Sequence, residues 1–381
     1  MVTTIATGER ALLEAIAALT PAIRAAREAT ERERHLPADL AGALAGAGLF
    51  KLFAPHSLGG SELDPLAAAR VVEAASTADP SVGWSVMIAS QWSWFTGHLA
   101  APVAAEVISD PAAVIAGQLF PGGEAVSVAG GYRVSGRWPF NSGADHATWF
   151  TQNVRVAEVG ARLVFLRRAE VEVLDTWHVM GLRGTASHDV VVTNVVVPVE
   201  RTVRLPLAQP VVPSPLYHPY GIRLMFVTQA AQAFGVARSA IDAFVALAAS
   251  TTRKLTPTAL GEQPTVQTVV AQAEARLAAA RAYLAEAAGA VWDELQAGRE
   301  PTEQQRAHLR LAITDGISGA VEVVDAMFAA AGSRAIFVSS PLEQYFRDIH
   351  TAAAHVQAAP LFYQETGRVF LGGELPTPAI W

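Results

Sequence analysis

Residues 347 to 355 read RDIHTAAAH, which places two histidines, an Arg–Asp pair and three alanines in one short segment. A histidine with an unperturbed pKa near 6.5 suits proton transfer at neutral pH, so His355 is a candidate for acid–base chemistry. On a helix, at about 100° per residue, His350 and His355 would lie about 140° apart and would not act as a pair. The segment is therefore either a reactive site built on His355 or a tight helix contact.

Metal binding is the other chemistry that two nearby histidines suggest. The histidines of HTAAAH stand five residues apart, whereas two ligands on one helix face prefer a spacing of about three or four. His146, His178 and His188 fall in predicted strands or loops without a recognisable ligand cluster. The sequence has no cysteine, which excludes disulfides, thiolate nucleophiles and Cys-ligated metals. No metal site is predicted.

The composition predicts a folded, soluble protein without a nucleic-acid surface. Of 381 residues, 51% are hydrophobic and 17% charged, the net charge is −7, and no basic patch stands out. Glu9, Arg10 and Glu14 interrupt the apolar positions of the first 20 residues, so a signal peptide is not expected. The unbroken apolar runs are shorter than the roughly 20 residues of a membrane helix. A cytoplasmic location is expected. The glycine-containing segments do not form the G-x-G-x-x-G pattern of a Rossmann dinucleotide site.

Three successive kinds of structure must position the candidate residues. Residues 1–112 have Ala and Leu at helical spacing and predict a helical domain, with one helix over about 81–95. Residues 113–215 change to short runs rich in Val, Thr, Tyr and Trp, which predict an antiparallel sheet or barrel. Residues 216–381 return to helical periodicity and predict a four-helix bundle. The predicted fold class is α+β.

The individual elements follow from the same patterns. Gly130 and Gly131 predict a hairpin turn within the middle domain. Candidate strands lie at 126–131, 132–138, 147–156, 162–168, 171–179 and 189–198. The bundle helices are predicted at 222–250, 265–297, 302–332 and 341–369.

Segments along nearly the whole chain resemble the acyl-CoA dehydrogenase superfamily. In the middle domain these are RWPFNSGADHATWF at 137–150 and DTWHVMGLRGTASHDVVVTNVVVP at 175–198. In the bundle they are QAFGVARSAIDAF at 232–244, EQPTVQTVVAQAEARL at 262–277 and YFRDIHTAAAH at 345–355. The resemblance implies a flavin bound between barrel and bundle, and a homotetramer.

The last helix indicates which branch of the superfamily the chain resembles. Acyl-CoA dehydrogenases commonly carry a catalytic glutamate shortly after an Arg–Asp pair, but no acid follows Asp348 before Glu365. The pattern RDIHTAAAH is instead similar to that of the two-component flavin monooxygenases, as is GLRGTASHDV at 181–190. That resemblance implies a separate NAD(P)H-dependent flavin reductase, reduced flavin (FMNH2 or FADH2) and O2. It also implies a flavin C4a-hydroperoxide that oxygenates an aromatic or polyketide-like molecule, with His355 handling a proton.

The resemblance also implies roles for residues of the middle domain. Ser142 matches the position that contacts flavin N5, Asn141 and Gly143 let the backbone approach the ring, and Trp138 would wall one face. Two further hydroxyls, of Thr185 and Ser187, either donate to flavin or cap the next strand. Arg253 either pairs with a cofactor phosphate or is a solvated loop residue.

A set of aromatic residues and two glutamines, on the helical side and in the bundle, either lines a substrate pocket or belongs to the core. The candidates are Trp84, Gln91, Trp92, Trp94 and Phe95, with Phe226, Gln229 and Phe234 in the bundle. Because phenol-hydroxylating relatives would place a histidine near Gln91, a simple phenol is not the expected substrate. Two alternatives to a monooxygenase stay open: a dehydrogenase or oxidase whose base is displaced, for example to Glu365, and a flavin-free binding subunit.

Overall fold

The computed structural model of the chain describes residues 2–157, 159–207, 209–250 and 259–374, without the side chains of residues 2–7. The described residues form two compact units. Unit 1 contains those of Met1–Ala68, Trp84–Val179 and Arg183–Ile222, and unit 2 those of Ala69–Gly83, Met180–Leu182 and Arg223–Trp381. Helices, then strands, then helices follow one another along the chain, which confirms the predicted fold class.

Five helices form the N-terminal part of the chain, and two of them begin at an Asp–Pro pair. They are α1 (Val2–Glu33), α2 (Ala38–Gly46), α3 (Pro65–Ala78), α4 (Pro80–Trp94) and α5 (Ala101–Ile108). Asp64 accepts backbone N–H groups at the start of α3, and Asp79 does so at the start of α4. Proline suits the first helical position because its missing N–H would have no partner there. The helix predicted over 81–95 is confirmed as α4.

One sheet forms the middle of the chain. Its strands are β1 (Ile115–Val128), β2 (Gly131–Asn141), β3 (Trp149–Val156), β4 (Gly160–Arg167), β5 (Glu172–Leu174), β6 (His188–Pro198) and β7 (Thr202–Arg204). Their order across the sheet is β5-β6-β2-β1-β3-β4-β7. The predicted hairpin joins β1 to β2, with Gly130 at φ +79°. The strand predicted at 171–179 is only three residues long, as β5.

The sheet is mainly antiparallel, as predicted, but one of its strand pairs, β1–β3, is parallel. After the β1–β2 hairpin the chain crosses β1 and places β3 on its far side. A third strand runs in the direction of the first, so β3 pairs with β1 in parallel. The strand patterns predict the strands themselves but carry no information about which strand will be the neighbour.

The C-terminal helices build unit 2 around an apolar central helix. They are α6 (Gly221–Leu224), α7 (Val227–Ser250), α8 (Pro264–Gln296), α9 (Glu303–Ala331), α10 (Pro341–Ala353) and α11 (Leu361–Phe370). Within the described residues one stretch, Gly221–Ser250, has the length and composition of a membrane span, and 56% of its apolar window is buried. Such burial is what the core helix of a bundle shows.

The last predicted helix, 341–369, is broken into two. Helix α10 ends at Ala353, a 3-10 turn covers Val356–Ala358, and α11 starts at Leu361. Pro360 explains the break, because the residue before a proline avoids the helical region, and Ala359 has φ −63° and ψ 133°. The helical wheel drawn through His355 is therefore wrong, since His355 lies beyond the end of α10.

Residues 69–83 belong with the C-terminal helices in unit 2 rather than with the other N-terminal residues. The Gln232 amide donates to the carbonyl of Pro80, and Ser239 donates to that of Thr77. A side chain at Gly235 would collide with the backbone of Glu73, so glycine lets α7 approach α3 closely. The three domain ranges drawn from the sequence stay a prediction.

Candidate functional site

Two segments of unit 1 are joined through their backbones at the ends of β2 and β6. The Gly143 N–H donates to the Thr185 carbonyl at 2.7 Å, and the Ala144 N–H donates to that of Ala186 at 3.3 Å. Phe140 and Ala186 have φ values of 61° and 43°, a region that side chains other than glycine rarely adopt. Such backbone strain is concentrated at functional sites, where the surrounding contacts maintain it.

Three hydroxyl groups meet where these segments join. Ser142 Oγ lies 2.8 Å from Ser187 Oγ, which lies 2.7 Å from Thr185 Oγ1. The Trp84 indole N–H donates to Ser142 Oγ at 3.0 Å. An indole nitrogen can only donate, so Ser142 accepts one hydrogen bond there and keeps its own hydrogen and a lone pair for other partners. We call Trp84, Ser142, Thr185 and Ser187 the hydroxyl network; all four are buried.

Space is left beside the hydroxyl network. A Cβ atom added to Gly143 would meet nothing within 4 Å, and the φ of +79° favours glycine. The side chain of the nearby Asn141 is fixed by two hydrogen bonds: its amide donates to the Trp138 carbonyl and accepts from Gln152. Short polar groups around an open backbone position suit a flat ring with hydrogen-bonding edges, so these residues fit a flavin.

His188, which directly follows Ser187, contacts the segments next to the hydroxyl network. Its Nδ1 accepts the N–H groups of Thr176 and Trp177 at 3.1 and 3.2 Å, so the ring proton of the neutral form is on Nε2. That nitrogen faces the Asp145 carboxylate at 3.7 Å. Hydrogen bonding with His188 is the main cause that lowers the pKa of Asp145. One imidazole thus holds together the loops that flank Ser142 and Ser187.

His355 lies in unit 2, in the gap between α10 and α11. Its Nδ1 accepts the Gln357 N–H at 3.3 Å, and its Nε2 lies 3.5 Å from the amide nitrogen of Gln229. The side chain is half-buried, yet desolvation by the surrounding protein lowers its pKa to about 4. At neutral pH the imidazole is therefore uncharged.

Neighbouring residues hold this gap in shape. The Gln357 carbonyl accepts a hydrogen bond from Thr314 at 2.9 Å, and its side chain accepts one from Arg310. Arg310 also lies over the ring of Phe362, 4.1 Å from the centroid. Contacts with α9 and α11 thus stabilise the short non-helical segment between α10 and α11.

Arg347 and Asp348 are both held by structural contacts. Arg347 pairs with Glu343 one turn earlier, at 2.6 Å. The Asp348 carboxylate accepts the N–H of Leu182 at 2.6 Å, and Gly181 packs directly on the backbone of Arg347. These contacts fix the 180–182 segment on α10.

Several predicted site residues are placed in hydrophobic cores instead. Trp138 is fully buried in the core of the sheet, where its indole donates to the Asn153 carbonyl. Trp94 is also fully buried, and its indole donates to the Leu216 carbonyl. Neither ring belongs to the hydroxyl network. The prediction of a flavin wall at Trp138 overlooked the small residues at Gly122, Gly123 and Gly136, against which the ring packs.

The remaining described candidates are buried. Trp92 stacks on Phe95 and covers Gly117, while Gln91 is buried on the same helix. Phe226 and Phe234 are buried in unit 2. Arg253 lies outside the described residues.

Two contributors were missed by reasoning from the sequence. Trp84 was considered for a pocket, not as the donor that orients Ser142, and His188 was considered only as a metal ligand. His188 directly follows Ser187 at the start of a strand, and a histidine next to a candidate site residue is a signal that could have been used.

Comparisons with known proteins show the family to which this fold belongs. The model of the acyl-CoA dehydrogenase N-terminal domain matches residues 9–97, and that of the C-terminal domain matches residues 227–360. An indole-3-acetate monooxygenase of Pseudomonas putida is 30% identical over 91% of this chain and 90% of its own. The flavin-dependent monooxygenase oxygenase subunit HsaA of Mycobacterium tuberculosis is 30% identical over 92% of both chains. XiaF from Streptomyces sp., solved with FADH2 and glycerol, has a TM-score of 0.91, 26% identity and 99% coverage of both chains.

Proposed function

This chain belongs to the flavin-dependent monooxygenases of the acyl-CoA dehydrogenase superfamily, and we propose that it oxygenates an aromatic small molecule through a flavin C4a-hydroperoxide. It is an enzyme that uses reduced flavin and O2. The observation that carries the proposal is the hydroxyl network, in which a tryptophan N–H orients a serine beside an open backbone position.

The hydroxyl network and its neighbours would hold the flavin. Ser142 accepts from Trp84 and shares a second hydrogen bond with Ser187, in which either oxygen can donate. Its remaining site can therefore donate to N5 or accept from N5, depending on the direction of the bond with Ser187. Thr185 and Ser187 hold that hydroxyl in place, and Gly143 leaves room for the ring. Reduced flavin supplies the electrons that activate O2, and the protein's part is to orient it and exclude water.

His355 would act as a neutral hydrogen-bonding group. With a pKa of about 4, the imidazole carries almost no charge at pH 7. It is therefore a weak base, and too little of the protonated imidazolium is present for it to serve as a general acid. A neutral imidazole can still donate to an oxygen atom that gains negative charge. The alternative base, Glu365, lies on α11 and not in the gap with His355.

The relatives suggest the substrate class and the electron source. One relative acts on indole-3-acetate, an aromatic bicycle, and another is called an oxygenase subunit, which implies a separate reductase. We extend both features to this chain: an aromatic substrate and a partner reductase that delivers reduced flavin. The homotetramer and the cytoplasmic location stay predictions.

A stopped-flow experiment tests the proposal. The protein is mixed with chemically reduced FMN or FAD, and then with O2, while absorbance is followed. We expect a long-lived band of the C4a-hydroperoxide type with wild-type protein and its faster decay in Ser142→Ala. Immediate reoxidation to free flavin and peroxide with both flavins, also in the presence of indole and other aromatic compounds, would contradict the proposal.

A further inference from the structure

The hydrogen bonds around His355 determine which ring nitrogen carries its proton. Nδ1 accepts the backbone N–H of Gln357, and a backbone N–H can only donate. In the neutral imidazole the hydrogen must then be on Nε2. His355 therefore presents an N–H group on the side where Gln229 lies.

The Gln229 side chain is the natural acceptor for that N–H group. It is buried, and its amide nitrogen lies 3.5 Å from His355 Nε2 while its Oε1 has no hydrogen-bond partner. Two N–H groups facing each other would repel, and they would leave a buried acceptor unsatisfied, which is costly. Turning the amide by 180° exchanges its oxygen and nitrogen, which are nearly equal in size. That single rotation gives the buried Oε1 of Gln229 a donor, the Nε2–H group of His355.

We propose that Gln229 is a positioning residue that accepts a hydrogen bond from His355 Nε2 and holds the imidazole in the Nε2–H tautomer. His355 then presents a directed donor and not a lone pair. Arg310 donates a hydrogen bond to the side chain of Gln357, in the 3-10 turn that follows His355. Its positive charge disfavours a second positive charge on the imidazole. The tautomer stands independently of the enzyme's activity, whereas its catalytic use rests on the proposed function.

The tautomer can be measured on the protein without flavin. The full chain is labelled with ¹⁵N-histidine, and the His355 signals are assigned with a His355→Asn variant at pH 7. We expect a protonated Nε2 and an unprotonated Nδ1 in the wild type, and a mixture of tautomers in Gln229→Leu. A wild-type imidazole protonated on Nδ1, or a Gln229→Leu spectrum equal to that of the wild type, would overturn the proposal.

Two further variants keep the test decisive if Gln229→Leu folds poorly. Gln232→Leu is the matched control, because Gln232 is equally buried on α7 but contacts Pro80, and the His355 signals should not change. Gln229→Glu keeps the size and an acceptor but adds a negative charge. It should retain the tautomer and move the titration midpoint of His355 up by about 1–3 pH units. An unchanged midpoint would show that Gln229 does not face the ring.

A kinetic arm separates this proposal from the proposed function. With reduced flavin, O2 and a substrate that is oxygenated, Gln229→Leu should release about tenfold more peroxide per product while binding flavin as tightly as wild type. If Gln229→Leu shows the altered tautomer but releases the same amount of peroxide per product as the wild type, Gln229 has only a structural role. That result would overturn its positioning role. If no substrate is oxygenated by the wild type, the proposed function fails, and the tautomer is still decided by the spectra.

Discussion

The hydroxyl network of unit 1 and the surroundings of His355 in unit 2 are built in opposite ways. Each network contact is 2.7–3.0 Å long, and the segments that carry it are joined by backbone hydrogen bonds. Two hydrogen bonds of the His355 ring are longer, at 3.3 and 3.5 Å, and the residue is only partly buried. The hydrogen bonds of the network are thus shorter than these two.

This difference matches the work proposed for each group. A group that orients a cofactor acts best when its geometry exists before binding, because ordering it later would cost binding energy. A group that meets a transient oxygen species often makes long hydrogen bonds before the ligand arrives, and these shorten in the complex. The following predictions, from the largest effect to the smallest, test whether the two regions differ in this way.

Replacing His355 should have the largest effect and should spare flavin binding. In His355→Asn we expect product formed per reduced flavin to fall by about 10²-fold or more, since a positioned proton-handling group typically contributes that much. Product yield and flavin affinity are measured on the same samples. His350→Asn is the control, because His350 contacts Asp325 on another side of α10. A similar loss in both variants would show a general effect on the helix.

Replacing Ser142 should weaken flavin binding itself. Loss of one buried hydrogen bond costs about 1–1.5 kcal/mol, so Ser142→Ala should bind reduced flavin roughly tenfold more weakly in anaerobic titrations. Because Ser142 and Ser187 share a hydrogen bond, the double variant should lose less affinity than the sum of the single losses. Strictly additive losses would mean that the two hydroxyls act independently.

Removing the Trp84 N–H should separate orientation from packing. Trp84→Phe keeps an aromatic ring but leaves Ser142 without its fixed donor, and we expect a loss of about 1 kcal/mol in stability together with weaker flavin binding. Trp94→Phe removes a comparable buried bond, to the Leu216 carbonyl, and should lower stability alone. Urea unfolding and flavin titration distinguish the two. Equal flavin affinity in both variants would contradict the role given to Trp84.

Mild acid should cause the smallest change. Burial lowers the pKa of both His355 and His98 to about 4, so the unfolded chain binds protons near pH 6.5 that the folded chain does not. Stability is therefore full above pH 6.5 and is lost as the pH falls toward 4. Between pH 7.5 and 6.0 we expect less than about 1 kcal/mol of loss per histidine. The urea midpoint of His98→Phe should depend less steeply on pH, and an unchanged slope would contradict this.

The sequence predicted the order of elements well, because helical and strand periodicities are local properties. It also brought Ser142 and His355 forward, through their resemblance to a known family. What the sequence did not show was non-local pairing: β3 lies beside β1, so the sheet is mixed. The burial of Trp138 and Trp94 also depends on distant neighbours, and the site roles of these two residues stay predictions. One error was local, since Pro360 already indicated that the helix predicted over 341–369 would be interrupted before residue 360.

The amino-acid sequence by itself determined the chemical inventory of this protein: serines and threonines in two loop segments, a lone histidine where a carboxylate is usual, and no cysteine. Only the tertiary structure decided how these groups act. It set the Trp84 N–H against Ser142, and it buried His355 so that its pKa falls to about 4. The physical reason is that hydrogen-bond direction and desolvation depend on neighbours that are distant in sequence, which a local pattern does not specify.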